Sequence, residues 1–325
     1  MIELDQNQAR EFLAKNKIEN YEIKKVAGDA SFRSYYRIFL GDQKWILMFA
    51  PPSHEDVKPF IRIDNFLVEH GFSAPKIFAV DEVNGFILLE DFGDDTYSKV
   101  LAREQENLKN RELDLYKNAC DSLVELHKIK APKDLPLYNN ALLFREVMLL
   151  IDWYLPSQKK EISLAEISRF KHLWFELFDL LDKENQVVVL RDYHADNLMT
   201  LPQRQTFKNV GLLDFQDGVI GSKAYDLVSL LEDARRDLND ENRQQLLQYY
   251  LEKSGCNKKS FLRDYAILSL QRNIKIVGIF SRLSMRDGKH HYLNLVPRVL
   301  NFVRLRLDSQ NPIFVEMSEL LQKFI

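Results

Sequence analysis

The sequence predicts an α+β fold: a small antiparallel β lobe with a helix over residues 1–91, then a larger, mainly helical lobe over 92–325. Three features predict it. Five short apolar runs separated by turn residues fill about the first 90 positions. Beyond Asp91, apolar residues recur at helical spacing almost without a break. Two strand-like runs, each ending in an acidic turn, interrupt that helical half. With 325 residues, 46% of them hydrophobic and 29% charged, the chain can bury two ordinary globular cores.

Residues 6–16 read as a short helix with Ala9, Phe12 and Leu13 on one side. Tyr21–Ala27, Ser31–Phe39 and Lys44–Phe49 read as three strands joined at Gly28-Asp29 and Gly41-Asp42. Pro51-Pro52-Ser53 closes that run. A helix over 57–70 carries Phe60, Ile63, Phe66 and Leu67 at helical spacing and stops at Gly71, a residue suited to the left-handed position after a helix. Pro75–Val80 and Gly85–Glu90 form a further strand pair. Leu113, Tyr116, Cys120, Leu123 and His127 then mark one face of a long helix. More helices are expected at 139–154, 164–183, 223–237, 240–253, 258–284, 292–306 and 314–324.

Composition excludes several classes. A net charge of −3 leaves no broad footprint for a nucleic acid. Cys120 and Cys256 are the two cysteines, far apart and without metal-type spacing, which excludes a disulfide framework and fits a reducing cytoplasm. Met1 to Asp5 lacks the basic-then-apolar pattern of a signal peptide, and no run of about 18 apolar residues suggests a membrane span.

The two interrupting stretches carry the chemistry. Val187-Val188-Val189-Leu190 leads into Arg191-Asp192-Tyr193-His194-Ala195-Asp196-Asn197, and Val210-Gly211-Leu212-Leu213 leads into Asp214-Phe215-Gln216-Asp217. Two carboxylates and an amide delivered from strand ends suit a magnesium ion on a nucleotide phosphate and a hydroxyl oriented to attack it. An Asp followed five places later by Asn arises by chance about once or twice in a chain of this size, so its strand context is what gives it meaning.

These motifs belong with Gly28-Asp29-Ala30-Ser31-Phe32-Arg33-Ser34-Tyr35-Tyr36-Arg37, Leu47-Met48-Phe49-Ala50-Pro51-Pro52, Leu88-Leu89-Glu90-Asp91-Phe92-Gly93-Asp94, Tyr225-Asp226-Leu227 and Arg286-Asp287-Gly288-Lys289. On these residues the chain resembles the aminoglycoside phosphotransferase/choline kinase-like branch of the protein-kinase fold. Within that branch it looks most like the bacterial N-acetylmuramate/N-acetylglucosamine anomeric kinases. The resemblance implies a bilobal kinase using ATP and Mg2+, with a hinge near Glu90–Gly93. It makes Asp192 the carboxylate that receives the acceptor's proton and Asn197 and Asp214 the magnesium ligands, with Asp217 as an auxiliary. Asp226 would brace the catalytic loop through backbone N–H groups. Leu190 stands where many relatives carry His. Gly28 and Ser31 would cover the phosphates, and the backbone of Leu89, Glu90 and Asp91 would meet adenine. Asp91-Phe92-Gly93 spells a kinase metal motif, but it lies before the catalytic loop, so Asp214 is the counterpart. Protein kinases carry a Lys in the third strand where this chain has Met48, and Arg33 is the candidate replacement.

For the acceptor, the same likeness points to His194, Glu146, Asp152 and Arg286, with Trp153, Tyr154, Arg282 and Asp287 nearby in sequence. Arg286 would suit a lactyl carboxylate, and His290-His291 reads as a solvated loop. The leading expectation is phosphorylation of an amino-sugar anomeric hydroxyl, whose acidity exceeds that of an ordinary alcohol. An aminoglycoside or a choline- or homoserine-type alcohol is the alternative acceptor, and a non-catalytic nucleotide-binding module the alternative to an enzyme.

Overall fold

The computed structural model describes residues 4–28, 32–307 and 314–325. Helix α1 (Gln6–Lys15) starts at Asp5, whose carboxylate accepts the Asn7 and Gln8 N–H groups. Strands β1 (Glu22–Gly28), β2 (Ser34–Leu40) and β3 (Gln43–Phe49) follow as an antiparallel meander. The expected Gly28-Asp29 turn, and Ser31 with it, falls partly or wholly outside the described residues. Helix α2 (Lys58–Glu69) buries the four apolar residues expected of it and also Asp64. Strands β4 (Ile77–Asp81) and β5 (Phe86–Glu90) complete a five-stranded antiparallel sheet in the order β1-β2-β3-β5-β4. Phe12 and Leu13 of α1 pack on Ile38, Leu47, Phe49, Phe86 and Leu88, and the Phe12 and Phe86 rings stack 5.6 Å apart.

After a short helix that periodicity did not reveal, α3 (Tyr97–Arg103), come α4 (Leu108–Leu126) and α5 (Asn140–Val147). The helix expected over 139–154 changes character: a π-helical turn covers Leu150–Tyr154 before α6 (Leu155–Ser157). Helix α7 (Leu164–Asp179) opens with a reciprocal Ser163–Glu166 capping box. Then come β6 (Gln186–Val189), β7 (Leu198–Thr200), β8 (Val210–Leu212) and β9 (Val219–Ser222), paired β6 with β9 and β7 with β8. Helix α8 (Ala224–Leu231) is shorter than the expected 223–237. Its end follows from Glu232, 1% exposed, which leaves the helix to accept from Ser269, Asn273, Tyr265 and Arg306. Helices α9 (Asp240–Ser254), α10 (Lys258–Asp287), α11 (Val296–Leu307) and α12 (Val315–Phe324) complete the chain. Gly255 and Gly288 close α9 and α10 in left-handed conformation.

The chain divides into two compact units, residues 1–103 with 196–217, and residues 104–195 with 218–325. The β7–β8 ribbon belongs to the first of these units. Thr200 N–H donates to the Asp95 carbonyl and Leu212 N–H to that of Ser73, which ties the ribbon there. In the second unit α10 is the central helix, with twenty of its residues buried. No described helix is long and apolar enough to cross a membrane.

Candidate functional site

In the second unit, β6 delivers the chain into a tight turn in which Asp192 N–H donates to the Leu190 carbonyl and His194 N–H to that of Asp192. Asp226, at the start of α8, accepts the N–H groups of Leu190 and Arg191 at 2.6 and 2.8 Å, the bracing expected of it. Tyr193 is buried and donates its hydroxyl to the Ala119 carbonyl, anchoring the turn to α4. Arg191 adopts a φ of +70°, an uncommon conformation for a side-chain-bearing residue that the two Asp226 bonds hold in place.

Behind this turn lies a charge network. Glu146 of α5, 6% exposed, accepts from the Tyr138 hydroxyl at 2.5 Å and from Gln271 at 3.0 Å, and pairs with Arg191. Lys275 of α10 places its Nζ 3.1 Å from Glu146 and 3.1 Å from the Tyr225 hydroxyl. Burial opposes ionisation of Glu146, but Lys275 and Arg191 outweigh it and hold the carboxyl below its ordinary range. Burial likewise opposes ionisation of Asp192, yet Lys275, then His194, Arg191 and Arg272, hold it below the ordinary value. Asp226 moves the other way: burial, reinforced by the Asp192 charge, pushes it up to about 7 against its two backbone bonds. Two neighbouring acids are thus separated in titration, and Asp192 is the one kept ionised.

His194 is buried, with Nε2 3.4 Å from Arg235 Nη1. Asp152 is exposed on the π-helical turn beside half-buried Trp153, whereas Tyr154 is buried. That turn packs on α10 at Gly278, where a Cβ would lie 2.4 Å from the Leu149 carbonyl carbon, so only glycine permits the approach. Arg286 is exposed and grips its neighbour Asp287 through Nε and Nη2 at 2.7 and 2.9 Å. Of the four acceptor candidates, Glu146 is committed to the buried network rather than offered to a ligand.

The first unit holds the other set. Asp214 follows β8 with a φ of +56°. Its carboxylate accepts from Arg33 at 3.1 Å and from Gln216 at 3.0 Å, with the Asn197 amide 3.5 Å away. Leu213 N–H donates to the Asn197 carbonyl, so the two residues are also coupled through backbone. Phe215 is buried and stacks on Phe60 of α2 at 5.1 Å, fixing the turn from below. One amide oxygen and one carboxylate are the hard oxygen donors that magnesium takes while keeping several waters. No cluster of three or more His, Cys, Asp or Glu suited to a metal occurs among the described residues. Arg33, 9% exposed at its side chain, is the cation beside Asp214. Met48, in the third strand, is buried.

Gly28 ends β1, in register with Ser34. Leu89 is buried in β5 opposite Ile46, and the Glu90 N–H donates to the Lys76 carbonyl while its carboxylate pairs with Arg204. The Asp91 side chain, 1% exposed, binds Arg37 Nε at 2.7 Å and accepts the Gly93 N–H, so it shapes the turn after β5. Sequence reasoning missed Lys275 and its network. A lone lysine inside the apolar run Ile274-Lys275-Ile276-Val277 was the available signal, since a buried ammonium needs a paired anion.

A family model described as "Phosphotransferase enzyme family" matches residues 22–265. An N-acetylmuramate/N-acetylglucosamine kinase of Pseudomonas aeruginosa is 34% identical over 92% of this chain and 88% of its own. A kinase of the same name from Caulobacter vibrioides is 31% identical over 97% of this chain and 95% of its own. Among solved structures, an ADP-bound aminoglycoside phosphotransferase superposes with a TM-score of 0.60 at 16% identity, covering 93% of this chain and 99% of that one. That last likeness concerns the fold, which is protein-kinase-like.

Proposed function

The chain belongs to the phosphotransferase enzyme family, and on that premise we propose that it moves the γ-phosphoryl group of ATP, held with magnesium, onto the anomeric hydroxyl of N-acetylmuramate or N-acetylglucosamine. It is an enzyme that phosphorylates an alcohol group, and ATP is the donor its kinase relatives imply. The observation that carries the acceptor is that four curated relatives, 31–34% identical over more than nine-tenths of the chain, share that substrate name.

The residues supply a coherent chemistry. Asp192, ionised and held by the Asp226-braced turn, orients the acceptor hydroxyl and takes its proton. An anomeric hydroxyl, acidified by the ring oxygen, asks less of that base than an ordinary alcohol, which suits a site built on positioning and charge. Asn197 and Asp214 would hold magnesium, which neutralises charge on the transferring phosphoryl group, with Asp217 in support. Arg33 would take the part of the strand lysine toward the phosphates, Gly28 would border them, and the Leu89–Asp91 backbone would meet adenine; Ser31, expected beside Gly28, lies outside the described residues. His194 and Asp152 lie with the acceptor in the second unit.

The charges around Asp192 bear equally on the alternative acceptor. Lys275, Arg191, Arg272 and His194 act on it, and Arg235 flanks His194. Lys275 and Arg191 are already paired with Glu146 and Asp192 is itself an anion, so these charges favour neither an aminoglycoside over an amino sugar nor the reverse.

The test is ADP release by the full chain with ATP and magnesium. N-acetylmuramate or N-acetylglucosamine should stimulate it, with loss of the sugar's reducing end, and Asp192→Ala should abolish it. Turnover of choline, homoserine or an aminoglycoside but neither sugar would move the acceptor class and keep the kinase. ATP binding without turnover of any alcohol would leave a nucleotide-binding module.

A further inference from the structure

Helix α10 carries Arg272, Lys275, Arg282 and Arg286, at steps of 3, 7 and 4 along its 30 residues. Those steps hold all four within about 80° of the helix circumference, so they form one cationic stripe. Three members have their charge engaged by the protein itself. Arg272 donates to the Glu232 carbonyl, Lys275 is held by Glu146 and Tyr225, and Arg286 is clamped by Asp287.

Arg282 is different. Its Nε is buried without a hydrogen-bond partner, and the side chain joins no ion pair found among the described residues. Burial and then the Arg286 charge depress its pKa, and the Asp287 charge offsets them only in part, as expected of a partly buried guanidinium that has no ion pair of its own. Five donors in a planar fork, one desolvated and unpartnered, match a carboxylate or a phosphate, and of the two proposed acceptor sugars N-acetylmuramate is the one that carries a carboxylate. Arg282 stands two turns, about 10 Å, along the helix from Lys275, the residue that acts on Asp192. The intervening stretch of α10 packs at Gly278 against Leu149, the residue that leads into the π-helical turn carrying Asp152 and Trp153.

We propose that Arg282 is the carboxylate receptor of the acceptor site: it binds the lactyl carboxylate of N-acetylmuramate while the anomeric hydroxyl lies at Asp192, and so sets the preference for that sugar over N-acetylglucosamine. The assignment rests on the proposed function. It replaces Arg286, which sequence reasoning favoured, because Arg286 spends its fork on Asp287.

The two sugars differ in that lactyl group, which makes the experiment internal to one enzyme. Steady-state kinetics are measured on both with wild type, Arg282→Met and Arg282→Lys. In Arg282→Met the KM for N-acetylmuramate should rise about 10- to 100-fold, the loss of a charge-assisted bidentate contact. The KM for N-acetylglucosamine and the kcat on both should stay essentially unchanged, which also reports an intact fold. Arg282→Lys, which keeps the charge and the packing stem, should recover part of the preference and serves if the Met variant does not fold. A parallel change for both sugars, or none for either, overturns the assignment of Arg282 and leaves the kinase reading standing. Wild type that phosphorylates neither sugar overturns both.

Discussion

The turns that carry Asp192 and Asp214 both follow a buried strand, and both contain a residue at positive φ, yet they are held in opposite ways. The Asp192 turn is pinned by backbone bonds to a buried acid and backed by a network in which Glu146, Lys275 and Arg191 satisfy one another. Asp214 is 32% exposed at its side chain, and its partners are the side chains of Arg33, Gln216 and Asn197. In the proposed function Asp192 accepts a proton and Asp214 holds a metal. A proton acceptor must be charged and stationary before substrate arrives, which favours permanent partners. A metal ligand must exchange partners, which favours side chains that can swing away.

This contrast can be broken by mutation. The largest effect is expected for Asp192→Asn: kcat should fall by about 10²–10⁴-fold with little change in sugar KM, measured by ADP release. Asp214→Asn should cost about 10²–10³-fold and also raise the magnesium concentration for half-maximal rate. If Asp214→Asn unfolded the protein instead, the exchangeable character assigned to that turn would be wrong.

Lys275→Met tests the permanent side. Leaving Glu146 with fewer counter-charges should destabilise the chain by about 3 kcal/mol in denaturant titration. The same change removes a cation that holds Asp192 below its ordinary pKa, so the acid limb of the pH–rate profile should move to higher pH. An unmoved limb would separate the network from the base.

A second pair of buried acids sharpens the comparison. Asp226 has two backbone donors, whereas Asp64 on α2 has Oδ1 buried without a partner, and burial, then Glu90, pushes its pKa up to about 8. Its folded-state pKa lies above the ordinary 3.8, so the folded chain keeps a proton the unfolded chain releases, and stability falls as pH rises from 4 toward 8. Asp64→Asn should remove that slope and add about 1–3 kcal/mol at pH 8, read from unfolding at several pH values. The smallest effect belongs to the surface: Arg169→Ala, which loses exposed pairs with Glu316 and Glu319, should change stability by less than about 1 kcal/mol.

Much of this molecule could be read along the chain. The five strands of the first sheet, the helix ending before Gly71 and the strand runs into both acidic turns all rest on signals within a few residues of one another, whereas the brace at Asp226 is expected from the family resemblance alone. Apolar period, turn chemistry and spacing are local, and the backbone obeys them locally. Helix α8 shows where that stops: its apolar pattern permits continuation past Leu231, but Glu232 leaves to meet Ser269, Asn273 and Tyr265 on α10.

The sequence by itself determined the element order, an α+β class with a β lobe before a helical one, and the two acidic turns, because each is written in short-range pattern; the protein-kinase-like likeness rests on the family resemblance of its motifs. Tertiary structure alone decided which charges are spent and which remain available. Glu146 is consumed by Lys275 and Arg191, Arg286 by Asp287, and Arg33 lies against Asp214 from far along the chain. Burial sets the free energy of a charge and partners offset it, and both are properties of packed neighbours that no stretch of sequence contains.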